Sequence, residues 1–337
     1  MRSNHLRLEM SKPSGQTASF ATIAKSMNSP ATSTGFASPR HYVAYGALCL
    51  LWGSTWIAVR VLVSDVPPFR AAAIRFVLAA AILGVAGRAM RLRFPRSARE
   101  WRNQVILGIT MMTVPYGAVF WAEQHINASL TALLFASFPL VVAIWSPILT
   151  GQTVPRRALF GIVVGIGGMA VLFFRGVPYS RVGRLSAIVV LVGVASSAWA
   201  TVFAKRQAST TNPLVSTGIQ MAVAAVLTAA VSLSFERGQE SHWTAASLSM
   251  LLLLAVFGSA VAFSLYYWLL RDIAAYQLGT IDLVVPLVAT AEGALLLREY
   301  IPPLMVAAMI VVLGAVLVVI HSESPEEVIS LSGRIET

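Results

Sequence analysis

Charged residues are scarce in this chain of 337 residues: Asp, Glu, Lys and Arg together make up 12% of it, against about 25% in an average soluble domain. Hydrophobic residues make up 57%. This balance excludes an ordinary soluble domain. It indicates a polytopic membrane protein whose main partner is the lipid bilayer.

Cysteine is almost absent. The single residue, Cys49, excludes an intramolecular disulfide and any Cys-based metal cage. Because Cys49 lies in an apolar run, we expect it to pack as a small core residue.

Enzyme signatures are missing as well. The sequence contains no phosphate-cradling GxxxxGK[ST], no HExxH and no GxSxG motif. It also lacks a cluster of carboxylates on one helix of the kind that a metal-dependent lipid transferase needs. We therefore predict no enzyme activity, no bound metal and no cofactor. Without an ATP site, a solute gradient or exchange is left as the energy source.

Basic residues exceed acidic ones, which gives a net charge of +11. The excess would suggest nucleic-acid binding if it formed one solvated face, but it lies in the connections between apolar spans. Alternate connections and the tails carry 17 Lys and Arg on one side and 7 on the other. Since positive loops stay in the cytoplasm, both termini are predicted to be cytoplasmic in a cell (inner) membrane protein, with no nucleic-acid partner.

Ten apolar spans follow one another after Tyr42, and each is about 20 residues long, enough for a helix to cross the hydrocarbon core. Short gaps between them make consecutive helices antiparallel. The spans cover residues 43–63, 69–89, 103–122, 128–149, 157–174, 185–204, 213–234, 247–270, 275–297 and 303–321.

A faint internal duplication divides these spans into two groups of five. Three residue pairs share an offset of 147 positions: Trp121 with Trp268, Pro139 with Pro286, and Pro155 with Pro302. Because five is an odd number, two halves of the same fold must enter the membrane in opposite senses, and such inverted repeats commonly enclose a cavity near the midplane.

The predicted fold class is therefore an all-α integral membrane protein with ten transmembrane helices arranged as two inverted five-helix repeats. Its parts are a disordered cytoplasmic tail over residues 1–41, the repeats over 42–175 and 185–321, and a cytoplasmic tail over 322–337. Whether residues 1–40 are retained, or Met27 is the true start, is left open.

Two carboxylates stand out because they interrupt the ninth span. Asp282 and Glu292 lie about 6 Å and 9 Å from Pro286 along a helix axis and about 80° apart around it, so both can face one interior. The functional interpretation is that each binds a substrate amine or a proton. In the alternative interpretation, a buried arginine such as Arg75 holds Asp282, and Glu292 reaches the membrane interface.

Arg75 lies about seven residues into the second span, whereas the other Lys and Arg lie close to span ends or in the connections; it either binds a substrate carboxylate or extends toward the headgroups. Trp56 and Trp199 each follow a small polar stretch on the first span of a half. Such a mixed lining suits a small amphipathic solute. The predicted substrate-binding residues are Trp56, Arg75, Tyr116, Trp199, Tyr267, Asp282 and Glu292.

Three glycines, Gly161, Gly165 and Gly168, recur at near-helical spacing in the fifth span. Small residues at this spacing let two helices approach closely. We therefore predict that they form a helix-packing face.

The motif WGSTW on the first span, IRF around Arg75 on the second, and prolines in the fourth and ninth spans resemble the drug/metabolite transporter superfamily, EamA-type permeases. The resemblance covers residues 42–321. Members usually end the fourth and ninth spans with Gly-Glu, whereas this chain has Gly151-Gln152 and Arg298-Glu299. The resemblance implies transport of small metabolites, often export of amino acids or related compounds, without ATP.

We therefore predict a secondary transporter that moves a small amphipathic metabolite outward by alternating access. An obligate exchanger of phosphorylated sugars or nucleotide sugars is the alternative, but it needs paired Lys or Arg within the spans and the chain has only Arg75. A membrane-embedded lipid-modifying enzyme and a non-transporting membrane scaffold are further alternatives. Solute identity, coupling to protons and oligomeric state are left open.

Overall fold

A computed structural model describes residues 36, 38–123, 125–126, 128–173, 180–207, 211–297 and 302–322, and every regular element among them is helical. The tail predicted to be disordered lies outside the described residues up to residue 35, and the first helix begins at Pro39. Of the C-terminal tail, only Ser322 is described.

The first half is built from helices that start at sequence signals typical of a helix N-terminus. Ser38 caps the first helix by accepting a hydrogen bond from the Arg40 backbone N–H, and proline opens several others, since it lacks the N–H that is unpaired there in any case. The elements are α1 (Pro39–Asp65), α2 (Pro68–Ala89), α3 (Ala98–Leu107), a π-helical segment π1 (Gly108–Thr113), α4 (Val114–Glu123), α5 (Ala128–Phe135), α6 (Phe138–Thr150) and α7 (Arg156–Phe173).

The second half repeats this order of elements, including a π-helical segment in the third span of the half. Its elements are α8 (Arg181–Gln207), α9 (Pro213–Phe235), α10 (Ala245–Ala255), π2 (Val256–Val261), α11 (Ala262–Asp272), α12 (Ala275–Leu278), α13 (Ile281–Leu297) and α14 (Pro303–Ile320).

The all-α fold predicted for a membrane protein agrees with these helices. Within the described residues, six helices are long and apolar enough to cross a membrane by length and composition. The count of ten crossings therefore stays a prediction. The six are Pro68–Ala89, Leu133–Thr150, Arg181–Gln207, Pro213–Phe235, Ala245–Asp272 and Pro303–Ile320.

Glycines of α7 pack directly against α14, which confirms the predicted packing face. A Cβ atom added at Gly161 would lie 2.8 Å from a Val319 methyl group, and one added at Gly168 would lie 2.6 Å from a Val312 methyl group. At Gly165 the nearest atom would be a Leu283 methyl carbon at 2.9 Å. These distances leave no room for a side chain, so the glycines set the separation of the two helices.

Two membrane-depth helices are interrupted. The fourth span breaks between α5 and α6, and the ninth breaks between α12 and α13. The breaks meet, since a Cβ added at Gly279 would lie 3.2 Å from the ring of Phe138. Interrupted helices whose breaks meet are a common framework for binding sites in secondary transporters.

The ends of the bundle can be named from α1. We call the end where α1 begins the tail face; there His41 contacts Asp272 at the end of α11. We call the opposite end the far face; there Asp65, the last residue of α1, accepts a hydrogen bond from the Thr244 hydroxyl.

Candidate functional site

A cavity of about 210 Å³ lies between the two halves of the described chain. Both broken helices contribute to its wall, through Phe138 and Asp282, and π1 contributes Met111. Most of the wall is apolar or aromatic, with Arg75 and Asp282 as the charged residues among its lining. Its aromatic members are Trp52, Tyr116, Phe135, Phe138, Phe263 and Tyr266.

Arg75 is held in this cavity by two hydrogen-bond acceptors of the other half. Its Nε donates to the Ser259 hydroxyl at 2.7 Å and its Nη2 donates to the Gly258 carbonyl at 3.2 Å. The guanidinium carbon lies 5.4 Å from the centre of the Tyr116 ring. Only 4% of Arg75 is exposed, so the side chain is enclosed by the protein. This does not fit the alternative interpretation, in which it extends toward the headgroups.

Two residues that accept hydrogen bonds from Arg75, Ser259 and Gly258, belong to π2. The other π-helical segment, π1, also accepts a hydrogen bond from the opposite half. A π turn shifts the helical hydrogen-bond register, and such segments are frequent at functional sites. The carbonyl of Gly258, the third residue of π2, accepts from Arg75. The carbonyl of Thr110, the third residue of π1, accepts from the Ser196 hydroxyl at 2.9 Å. Each half therefore presents a π-segment carbonyl to a side chain of the other half.

Asp282 lies in the first turn of α13, directly after the break of the ninth span. Its carboxylate faces the cavity and makes no ion pair with Arg75, whose partners are described above. The Asp282 carboxylate is close enough to interact electrostatically with three neighbouring side chains, those of Tyr45, Cys49 and Tyr266. The interpretation in which Arg75 merely neutralises Asp282 is thus not supported, and the two charges line one cavity separately.

Trp52 forms the centre of the aromatic wall beside Asp282. Its ring lies 5.1 Å from Phe263 and 5.6 Å from Tyr266, centre to centre. The indole N–H finds no acceptor among the described residues. Electron-rich ring faces next to a carboxylate suit a cationic or amphipathic group.

The chain matches the EamA-like transporter family twice, over residues 42–174 and 184–321. The two matches together cover most of the chain, one in each half. The chain belongs to the EamA-like transporter family.

Several curated relatives of this EamA-like transporter carry transporter names. It is 29% identical over 282 residues to the uncharacterized inner membrane transporter YedA of Escherichia coli K12, covering 81% of this chain and 88% of that protein. It is 23% identical over 273 residues to the uncharacterized transporter YoaV of Bacillus subtilis, covering 81% and 91%. Protein PagO of Salmonella typhimurium is 25% identical over 262 residues, covering 77% and 84%.

A solved crystal structure has the same fold as this EamA-like transporter. The TM-score is 0.71 at 19% identity, and the match covers 83% of this chain and 96% of the other. The resemblance to the drug/metabolite transporter superfamily is confirmed, and the family and the names of its relatives indicate a multi-pass membrane transporter.

The structure brings three of the seven predicted substrate-binding residues to the cavity wall: Arg75, Tyr116 and Asp282. The Glu292 carboxylate accepts a 2.6 Å hydrogen bond from the Ser54 hydroxyl and is not among the cavity-lining residues. The side chain of Trp56 lies outside the described residues.

The other two predicted residues lie away from the main cavity. Trp199 stacks on Phe203, with ring centres 4.9 Å apart and planes 9° from parallel. Tyr267 donates a 2.5 Å hydrogen bond to the Gln220 side chain and lines a separate small pocket.

Sequence reasoning missed Trp52, Tyr266 and Ser259. Trp52 could have been found, since Trp52, Thr55 and Val59 all line the cavity and recur at the spacing of one helix face. Ser259 carries no such signal because its role depends on the π turn of another span.

Proposed function

We propose that this transporter exports a small amphipathic metabolite, an amino acid or a related compound, by alternating access and without ATP. The observation that carries the proposal is the cavity at the meeting point of two broken helices, in which Arg75 and Asp282 are the charged members of a mainly aromatic wall. Arg75 would bind an acidic group of the solute, and Asp282 would bind an amine or a proton.

The single guanidinium in the described lining supports a solute with one acidic group. A phosphorylated sugar carries two negative charges and would leave one of them without a cationic partner among the described lining residues. The aromatic rings that line the same cavity favour an apolar solute body.

We further propose that the protein lies in the cell (inner) membrane with both termini in the cytoplasm, so that the tail face is the cytoplasmic side. The support is the distribution of Lys and Arg, above all the six arginines between residues 88 and 102.

The test is a flux assay with the purified protein in liposomes. Candidate amino acids and related amines are loaded inside, and efflux is followed with and without a pH gradient. We expect at least one zwitterionic solute to leave faster than from protein-free liposomes, and faster than from liposomes with the Asp282→Asn variant. Flux at the protein-free rate for every solute would contradict the proposal, and flux of sugar phosphates alone would favour the exchanger.

A further inference from the structure

One face of α1 carries a row of polar contacts from the tail face to the cavity. His41, Tyr45, Cys49 and Trp52 follow one another at intervals of three or four residues, which places them on one side of a helix. Trp52 lines the cavity, and the other three lie between it and the tail face. We call these three residues and their partners the α1 seam.

Each step of the α1 seam joins the first half to the second. The His41 Nε2 atom lies 3.3 Å from a carboxylate oxygen of Asp272, at the end of α11. One turn further in, the Tyr45 and Thr280 hydroxyls form a 2.7 Å hydrogen bond at the break of the ninth span. His41 and Tyr45 are 6% and 7% exposed, so the seam excludes water.

The last step reaches the cavity itself. Cys49 is 3% exposed; it lies beside Tyr45 and within electrostatic range of Asp282. A solute beside Asp282 is therefore separated from the tail face by the side chains of the seam. Any route from the cavity to that face along α1 must part them.

The α1 seam is held by pairs of polar side chains, and such pairs can separate at little cost in free energy. When a hydrogen-bonded pair separates into water, water takes the place of each partner, so the net cost is small. Close-packed apolar contacts have no such compensation. The α7 and α14 helices are locked by glycine against valine, at distances that leave no space for sliding.

We propose that the α1 seam is the tail-face gate of the transport cycle, with His41–Asp272 and Tyr45–Thr280 as its two closing contacts. It is shut in this structure, and it opens when α1 moves away from the ends of the eighth span and the break of the ninth. The proposal rests on the proposed function, because a gate presupposes a solute path, but its first test does not depend on knowing the solute.

Cys49 provides that test, because it is the single cysteine of the chain and is covered by the seam. The reagent is N-ethylmaleimide, and the measurement is the rate at which it alkylates Cys49 in the full-length protein in liposomes. The seam variants are Tyr45→Phe and Asp272→Ala, each of which removes one contact. We expect each to raise the alkylation rate about threefold to tenfold, the range for loss of one hydrogen bond, and the double variant to exceed both.

Tyr276→Phe is the matched control. Tyr276 is a buried tyrosine near the same face; its hydroxyl donates to the Ser322 carbonyl, and neither residue belongs to the seam. An unchanged alkylation rate in both seam variants would overturn the proposal. So would an equal increase in Tyr276→Phe, since that would indicate general loosening.

A second experiment cross-links the α1 seam so that it cannot open, and then measures solute flux. In a Cys49→Ser background, His41→Cys and Asp272→Cys are bridged by a short bifunctional thiol reagent. We expect the bridged protein to lose solute flux at least about tenfold, and the singly substituted proteins treated in the same way to keep theirs. Full flux through the bridged protein would contradict the gate. Absence of flux in every sample, together with seam-dependent alkylation of Cys49, would contradict the proposed function and leave the seam only as a barrier between the cavity and the tail face.

Discussion

The Nε atom of Arg75 and the hydroxyl of Ser259 are 2.7 Å apart, although the two residues are 184 positions apart in the chain. This contact fixes a cation of the first half on a π-helical segment of the second. It also directs the guanidinium along the wall of the cavity, where Tyr116 lies 5.4 Å away. The charge that is unusual in the sequence is therefore oriented before any solute arrives.

Replacing Arg75 with lysine tests this orientation. Lysine keeps the charge but cannot donate to both the Ser259 hydroxyl and the Gly258 carbonyl from one planar group. We expect Arg75→Lys to lower the initial rate of solute flux about tenfold in liposomes, equivalent to about 1.4 kcal/mol. Arg99→Lys, at the exposed start of α3, is the control and should leave the rate unchanged.

Asp282→Asn removes the negative charge of the cavity while keeping its shape. If the carboxylate binds an amine or a proton, flux should fall by about tenfold or more, since hydrogen bonds to charged groups contribute about 1.5–3 kcal/mol. Glu292→Gln is the comparison, because Glu292 bonds to Ser54 outside the cavity lining. Equal losses in the two variants would show that burial of charge, rather than position in the cavity, decides the effect.

Glu236 stabilises the far face without touching the cavity. It is 3% exposed, and its two carboxylate oxygens accept 2.8 Å hydrogen bonds from the backbone N–H groups of Phe69 and Arg70 at the start of α2. Glu236→Ala removes the carboxylate that accepts from both backbone N–H groups, at a cost of about 1–3 kcal/mol. We expect a lower apparent Tm in detergent and an unchanged flux per folded molecule; a Tm equal to that of the wild type would contradict the capping role.

Neighbouring glycines of α7 give a matched pair for stability. A Cβ added at Gly168 would lie 2.6 Å from a Val312 methyl group, whereas at Gly167 nothing lies within 4 Å. Gly168→Ala should therefore destabilise the packing against α14 by about 1–3 kcal/mol, and Gly167→Ala should leave it unchanged or slightly stabilised. The apparent Tm of the two variants, measured side by side, checks this.

Glu100, which lies outside the apolar spans, is expected to make the stability of the protein depend on pH. Hydrogen bonds from the backbone N–H groups of Arg96 and Ser97 lower the pKa of its carboxyl below the ordinary value of 4.5. A lowered folded-state pKa adds stability above the unfolded-state pKa, and that stability is lost as the pH falls through the folded-state pKa. Glu100→Gln should therefore flatten the fall of Tm below about pH 4.5, and an unchanged slope would exclude the cap as its source.

Much of the architecture follows from composition and spacing. Apolar runs of membrane length predicted the helices, and the proline and tryptophan offsets predicted two related halves. The chain's match to the EamA-like transporter family over residues 42–174 and again over 184–321 agrees with that division. The glycine spacing of the fifth span predicted a packing face, because small residues on one helix side have few other uses in lipid.

The existence of a polar site was easier to predict from the sequence than the residues that line it. Asp282 and Arg75 were recognisable because charge is costly at membrane depth. Trp199 and Tyr267 are aromatic residues of the same kind as Trp52 and Tyr266, yet only the latter two line the cavity. Helix rotation decides between them, and rotation depends on contacts with every neighbouring helix.

By itself, the sequence predicted that this chain lies in a membrane, that its helices form two related halves, and that two charged residues, Arg75 and Asp282, lie inside apolar spans. These properties follow from local hydrophobicity and spacing, which act within a single helix. Only the tertiary structure decided that Arg75 and Asp282 share a cavity without pairing, that π segments present carbonyls across the interface, and that His41 meets Asp272. Each of these joins residues far apart in the chain, and the packing of whole helices sets their distances.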